Sequence, residues 1–159
     1  VCTTLFGGFV VSALVLILGF HCAKGRVKEE YIDEKAYPVQ MSDYILEYFD
    51  ENNIDIKDVR LYNEYNYGSY LLYKGIPVFI DSRADLYAPE FNAGKDIFTD
   101  FIQSSNLEVW FEDIFSKYDI THIILYKDSK MNMIIKDAHL KGYNLLKEDD
   151  NFVFYEITK

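Results

Sequence analysis

The chain has 159 residues, of which 50% are hydrophobic, and this is enough for one domain with a buried core. It carries 26 acidic and 16 basic residues, so its formal net charge is −10. An acidic surface repels phosphate backbones, and no Lys/Arg cluster of the size that nucleic-acid binding needs is present, so nucleic acids are excluded as partners.

The first 23 residues, VCTTLFGGFVVSALVLILGFHCA, contain no charged side chain. At about 1.5 Å per residue, such a helix spans the roughly 30 Å hydrocarbon core of a bilayer. Residues 1–23 therefore predict a transmembrane helix with the lipid bilayer as its partner. Because no positively charged start precedes the apolar run, a signal peptide is disfavoured, and we expect the last span of a longer membrane protein. A charged linker follows at residues 24–37.

Residues 38–159 carry the patterns of a soluble α/β domain. Apolar residues at helical spacing predict a first helix that begins at Pro38 and ends near residues 52–53. Residues 59–63 predict a short strand, and residues 67–73 a short helix closed by Gly75. The continuous apolar run at residues 76–80 predicts a second strand, covered on both faces.

The second half of the domain continues the alternation of helices and strands. Helical patterns occur at residues 97–102, at residues 107–118 with Asn106 as N-cap, and at residues 131–138 with Gly142 as the closing residue. Residues 122–126 predict another buried strand, and residues 143–147 and 152–157 a hairpin around the polar turn 148–151. Strands separated by helices predict an α/β fold: a three-layer, mainly parallel sheet with helices on both faces and a C-terminal antiparallel hairpin, preceded by one transmembrane helix.

Patterns typical of enzymes and metal sites were not found in the sequence. Cys2 and Cys22 are about 30 Å apart on the predicted span and cannot form a disulfide with each other. His21, His122 and His139 are scattered and favour packing over metal binding. No P-loop, dinucleotide-binding glycine pattern, nucleophile elbow or zinc-protease motif is present. We expect no cofactor, no metal and no catalytic residue in this chain.

A candidate binding site follows from the predicted sheet, since ligands of such sheets bind outside the carboxyl ends of the parallel strands. This edge would bring together a polar group with an aromatic rim, suited to a sugar or polyol: Asn63, Asp81, Arg83, Asp85 and Tyr87. In the alternative that we favour, Arg83 bridges Asp81 and Asp85 and pins the loop. A self-contained hydrolase that uses Asp81 or Asp85 is a further alternative.

Several segments of this domain resemble one protein family. They are RLYNEYNYGSYLLYKGIPVFIDSRADLYAPEF at residues 60–91, a W-x-x-x-x-F-x-K-Y-x-I pattern at residues 110–120, THIIL, and LLKEDDNFVFYEI. They resemble the C-terminal soluble domain of bacterial multi-spanning membrane proteins related to the polyprenyl-phosphate-dependent glycosyltransferases, the dolichyl-phosphate-mannose protein mannosyltransferase-like GT-C group. The matching positions are Asn63, Gly68, Tyr70, Leu71, Asp81, Arg83, Asp85, Tyr87 and Trp110. Ser69 and Ser82 stand where glycine is common.

The resemblance implies a function and a location. It implies the extracytoplasmic domain of a cell-membrane glycosyltransferase, with a lipid-linked sugar or a carbohydrate acceptor as partner. The family's catalytic acid lies in an early extracytoplasmic loop, which this chain does not contain, so the resemblance implies a non-catalytic domain. Lys24, Arg26 and Lys28 favour a cytoplasmic location instead, but upstream spans can override such charges. The alternative is a non-catalytic, membrane-anchored binding or scaffolding module.

Overall fold

The structure is a computed structural model that describes residues 32–158 and, apart from these, residues 15 and 17. Residues 33–158 belong to one compact unit. The predicted membrane span at residues 1–23 lies outside the described residues, except for Val15 and Ile17. Among the helices that are described, none has both the length and the apolar character needed to cross a membrane.

Helices and strands make up much of residues 39–157. In chain order they are α1 (Val39–Glu51), β1 (Leu61–Tyr62), α2 (Tyr65–Tyr73), α3 (Ile97–Ser105), α4 (Phe111–Lys117), β2 (His122–Tyr126), α5 (Lys130–Asp137), β3 (Tyr143–Glu148) and β4 (Phe152–Ile157). Two short 3-10 turns, Ala84–Tyr87 and Pro89–Phe91, lie between α2 and α3. Side-chain caps fix two of the helix starts: Asp96 accepts the N–H of Thr99 before α3, and Ser129 accepts that of Asn132 before α5.

The strands form one sheet in the order β1-β2-β4-β3. β1 and β2 are parallel, with Leu61 opposite His122. β4 is antiparallel to β2 on one side and to β3 on the other, and the ladder between β3 and β4 is irregular between Leu145 and Lys147. The sheet is therefore mixed, with a single parallel pair among its strands.

The predicted mainly parallel, three-layer fold is wrong, and residues 76–80 give one reason. They do not form a strand. The side-chain amide of Asn63 instead forms hydrogen bonds with backbone groups that a neighbouring strand would otherwise have bonded. It accepts from the N–H of Phe79 and donates to the carbonyl of Ile80. The other reason is that β2 pairs with β4, which runs antiparallel to it. The domain is a small mixed α/β unit.

The core consists of two apolar clusters on opposite faces of the sheet, because successive side chains of a strand point to opposite faces. On β2, Ile123 and Leu125 belong to one cluster and Ile124 to the other. The first cluster includes the buried apolar side chains of α3, α4 and α5, and the second includes those of α1 and α2. Both faces of the central strands are consequently inaccessible to a ligand, and binding sites must lie at the sheet's ends or on its outer surface.

Two predicted helix boundaries are wrong. Asn106 is the C-cap of α3 and not an N-cap, and α4 begins only at Phe111. The chain reverses between these helices at Leu107, whose φ is 61°. α5 ends at Asp137, well before Gly142, which lies next to β3 and accepts the N–H of Thr158 through its carbonyl.

Candidate functional site

Asn63 follows β1, and its side chain is fully buried. Nδ2 donates to the carbonyls of Ile80 at 2.8 Å and Glu64 at 3.0 Å, while Oδ1 accepts from the N–H of Phe79 at 2.8 Å. Both donor hydrogens and the acceptor oxygen of the amide thus have partners inside the protein. Asn63 therefore connects β1 to residues 79–80 through hydrogen bonds, and its amide has no free donor for a ligand.

Asp81 is fully buried and is ion-paired with Arg83. Its carboxylate accepts from the Arg83 Nη2 at 2.5 Å, from Nε at 3.0 Å and from the backbone N–H of Arg83 at 2.8 Å. These bonds from Arg83 are the main cause that lowers the pKa of Asp81 below its ordinary value, and a hydrogen bond with Tyr87 contributes. The carboxylate is therefore ionised and held by its own loop.

Asp85 and Tyr87 lie in the 3-10 turn that follows this ion pair. Asp85 is exposed, and no salt bridge joins it to Arg83 in the described part of the chain, so the predicted bridge reaches only Asp81. Tyr87 is partly buried; this burial, followed by the charge of Asp81, raises the pKa of its hydroxyl to about 12. The structure therefore links Asp81, Arg83 and Tyr87 and leaves Asp85 apart.

Gly68 allows α2 to pack directly against the start of this loop. A Cβ atom at Gly68 would lie 2.0 Å from the carbonyl oxygen of Ile80 and 2.9 Å from the Nδ2 of Asn63. Atoms cannot approach so closely, so only glycine fits here. Gly68 therefore supports the same connection between β1 and residues 79–80 that Asn63 makes.

Glu64 is a functional candidate that is not among the site residues predicted from the sequence. It lies between β1 and α2, and its Oε1 accepts the N–H of Tyr126 at 3.1 Å, at the carboxyl end of β2. Burial raises the pKa of Glu64 to about 7, the hydrogen bond from Tyr126 opposes this, and the charge of Asp128 adds to it. A carboxyl group with such a pKa can exchange a proton near neutral pH. The signal in the sequence is a glutamate two residues after the end of β1, a strand of the parallel pair.

A pocket of about 750 Å³ lies beside the carboxyl end of β2, and we call it the carboxyl-edge pocket. Six of its eight lining residues carry a charged or amide side chain, and one has an aromatic ring: Asp33, Lys35, Ala36, Tyr126, Lys127, Asp128, Asp150 and Asn151. The predicted residues Asn63, Asp81, Arg83, Asp85 and Tyr87 are not among this lining. The segment before α1, the end of β2 and the β3–β4 turn form this pocket.

The Tyr126 hydroxyl donates to the carbonyl of Ala36 at 3.1 Å, which fixes one wall of the carboxyl-edge pocket. Lys127 forms a salt bridge with Glu148 at 2.9 Å, and the Asp128 side chain is exposed. Within residues 32–158, no cluster of three or more His, Cys, Asp or Glu side chains has the arrangement of a metal site. The pocket offers hydrogen-bond donors, acceptors and an aromatic ring, the groups that bind polyhydroxylated molecules.

Comparisons of this chain with known protein families, with curated proteins and with solved structures found no match. The resemblance to the polyprenyl-phosphate-dependent glycosyltransferases thus remains a prediction carried by the sequence motifs.

Proposed function

We propose that the chain is the extracytoplasmic domain of a membrane glycosyltransferase-like protein that uses a lipid-linked sugar donor. In this proposal the domain holds the carbohydrate acceptor and does not itself transfer the sugar. The observation that supports it best is the carboxyl-edge pocket, whose lining residues combine charged and amide side chains with a single aromatic ring. The motif at residues 60–91 supplies the link to glycosyltransferases.

The pocket's side chains suit a sugar. Asp128 accepts hydrogen bonds from hydroxyl groups, and Lys127 and Asn151 donate them. The ring of Tyr126 offers an apolar face to the C–H groups of a pyranose. Because Lys127 is held by Glu148 and Tyr126 by Ala36, two of these groups are positioned before the sugar arrives.

A direct catalytic role of the motif's aspartates fits the geometry less well. The Asp81 carboxylate already accepts three close hydrogen bonds from Arg83, which stabilise its charge and weaken it as a base or nucleophile. Asp85 is exposed and is not ion-paired with the Asp81–Arg83 unit. A hydrolase that uses these residues would lose its activity in the double variant Asp81→Asn, Asp85→Asn.

The test is a transfer assay with Asp128→Asn in the full membrane protein. Membranes containing the protein receive a polyprenyl-phosphate hexose and a soluble oligosaccharide acceptor. We expect the acceptor KM to rise about tenfold, equivalent to about 1.4 kcal/mol of binding, with little change in kcat. The matched control is Asp137→Asn, an exposed aspartate at the end of α5. Absence of transfer with every hexose donor, or an unchanged KM in Asp128→Asn, contradicts the proposal.

A membrane-anchored scaffolding module is the second candidate, and one surface favours it. The Tyr73 side chain is 83% exposed, its ring lies 6.4 Å from that of Tyr70, and the Tyr70 ring lies 5.7 Å from that of Tyr37. Exposed tyrosines are frequent in protein interfaces. Deletion of residues 38–159 from a correctly inserted protein separates the candidates: retained transfer favours the scaffold, and abolished transfer favours acceptor binding.

A further inference from the structure

A second pocket, of about 490 Å³, lies at the amino ends of β1 and β2, and we call it the amino-edge pocket. It is at the end of the parallel pair opposite to the carboxyl-edge pocket. Three segments contribute to it, residues 59–61, 77–79 and 117–120, together with Tyr87, Asn92, Lys95 and Ile97. Its volume lies within the range of small-molecule sites, roughly 300–1,000 Å³.

Basic side chains are concentrated in the amino-edge pocket, although the protein has a net charge of −10. Arg60, Lys95 and Lys117 line it, together with one carboxylate, Asp119. Lys117 is paired with Asp100 at 2.6 Å. Among the salt bridges of residues 32–158, none involves Arg60 or Lys95. Two cations of this pocket therefore lack a salt bridge to a carboxylate.

Backbone contacts position Arg60 for binding. Its Nη1 donates to the carbonyl of Lys57 at 2.8 Å and to that of Val59 at 3.1 Å. These contacts use one end of the guanidinium group. Because a guanidinium has five N–H donors in a planar fork, its other end is able to bind the oxygens of a phosphate.

Two ammonium groups share one aromatic ring in this pocket. The Nζ of Lys95 lies 5.1 Å from the centre of the Tyr118 ring, and that of Lys117 lies 5.4 Å from it. The Tyr118 hydroxyl donates to Asp100, and burial, followed by this bond, raises its pKa, so the ring is neutral. The Asp100 carboxylate pairs with Lys117, whereas Lys95 has no salt bridge among the described residues, so a bound phosphate would supply Lys95 with a counter-ion.

The remaining lining suits the body of a polar ring molecule. Asn92 lines the pocket with an amide whose Nδ2 donates to the carbonyls of Leu86 and Ala88, which orients the side chain. Tyr87 adds a hydroxyl that stays protonated at neutral pH. A ligand with both a phosphate and hydroxyl groups would use the cations and these neutral groups together.

We propose that the amino-edge pocket binds a small phosphate monoester with a polyhydroxylated ring, that is, a sugar phosphate. Arg60, Lys95 and Lys117 bind the phosphate, and Asn92 and Tyr87 face the sugar. This inference goes beyond the proposed acceptor site and does not rest on it, because it concerns other residues at the opposite end of the strands.

The test uses the full chain in detergent micelles and isothermal titration calorimetry with glucose 6-phosphate. We expect saturable binding, at least tenfold weaker binding of glucose and of inorganic phosphate, and weakening by added salt. Lys95→Gln is expected to weaken binding about fivefold and Arg60→Gln about tenfold. The matched control is Lys147→Gln, since the Nζ of Lys147 also lies over a tyrosine ring, that of Tyr44 at 5.3 Å, but outside this pocket.

Several results would overturn the assignment. They are no saturable binding of glucose 6-phosphate by the full chain, equal binding of inorganic phosphate, and equal weakening in Lys147→Gln and Lys95→Gln. Binding of phosphatidic acid vesicles but not of glucose 6-phosphate would assign the basic residues to a lipid headgroup instead. Arg60→Gln loses two backbone contacts, so its folding is checked by circular dichroism. Lys95 is exposed, and its variant keeps the test valid if Arg60→Gln does not fold.

Discussion

Replacing Gly68 by alanine tests how tightly α2 packs against residues 80–81. The new Cβ would lie 2.0 Å from the Ile80 carbonyl oxygen, 2.9 Å from the Asn63 Nδ2 and 2.9 Å from the Asp81 Cα. Real Cβ atoms essentially never come closer than 3.0 Å to such neighbours. The helix and the loop must therefore separate by about 1 Å, since close-packed interiors cannot absorb the overlap.

The expected cost follows from three contributions. Overpacking of this kind costs about 1–3 kcal/mol, and stretching the buried hydrogen bond from Asn63 to Ile80 costs about 1–3 kcal/mol more. Alanine is favoured over glycine inside a helix by about 1 kcal/mol, which offsets part of this. We expect Gly68→Ala to lower the free energy of unfolding by about 3 kcal/mol.

The measurement is urea denaturation of the full chain, followed by far-ultraviolet circular dichroism. Tyr73→Ala is the control on the same helix; its side chain is 83% exposed, and we expect a change within about 0.5 kcal/mol. If Gly68→Ala is as stable as the parent protein or more stable, the close approach of α2 to Ile80 is refuted.

Three other substitutions test the electrostatics of the domain. Arg83→Ala should lower the urea midpoint, because the buried Asp81 carboxylate loses its guanidinium partner. The parent protein loses stability as pH falls through the depressed pKa of Asp81, and this loss should be smaller in the variant. Glu64→Gln should raise stability at pH 8, because burial raises the Glu64 pKa from 4.5 to about 7, a difference worth roughly 3 kcal/mol. In the parent protein this carboxyl group lowers stability as pH rises from about 4.5 to about 7, and the variant should lack that slope. His122→Leu should reduce the loss of stability below pH 6.5, because burial lowers the pKa of His122, and its buried Nε2 has no partner in the described structure.

Each of these outcomes has a clear opposite. Arg83→Ala with an unchanged urea midpoint but weaker sugar binding would assign Arg83 to a binding site. If the stability of Glu64→Gln still falls between pH 4.5 and 7 as in the parent protein, another group titrates in that range. Glu64 lowers the stability of the parent protein as pH rises through this range, whereas His122 raises it, so the two single variants separate their contributions. Unchanged acid sensitivity in His122→Leu would show that His122 is not its source.

The apolar run at residues 76–80 shows where sequence patterns were informative and where they were not. The run predicted burial, and Ile76 and Ile80 are fully buried. It also predicted a strand, which is wrong, because the backbone partner of this segment is a side chain, the Asn63 amide. Apolar periodicity indicates which residues are buried, but not which groups form hydrogen bonds with the backbone.

The hairpin and the central strand were predicted with nearly correct bounds, since β2 is His122–Tyr126 and β3 and β4 flank the polar turn. What local patterns did not show is that β4 lies between β2 and β3, because that pairing depends on contacts distant along the chain. The same limit applies to the site. Asp81 and Arg83 are two residues apart, and their ion pair was predicted. Burial raises the pKa of Glu64 to about 7 against the hydrogen bond from the N–H of Tyr126, 62 residues later; this burial comes from tertiary packing and was missed.

The two edges of the sheet determine how other chains can join this domain. At one edge, β1 has only two residues, Leu61 and Tyr62, and Asn63 fastens residues 79–80 beside it. At the other edge, β3 is irregular between Leu145 and Lys147, and a lysine there carries charge. Neither edge presents a long, regular row of free backbone groups, which intermolecular strand addition requires. Within the described sheet, these edges thus disfavour amyloid-like stacking and sheet extension, and favour recognition of the domain through its side chains.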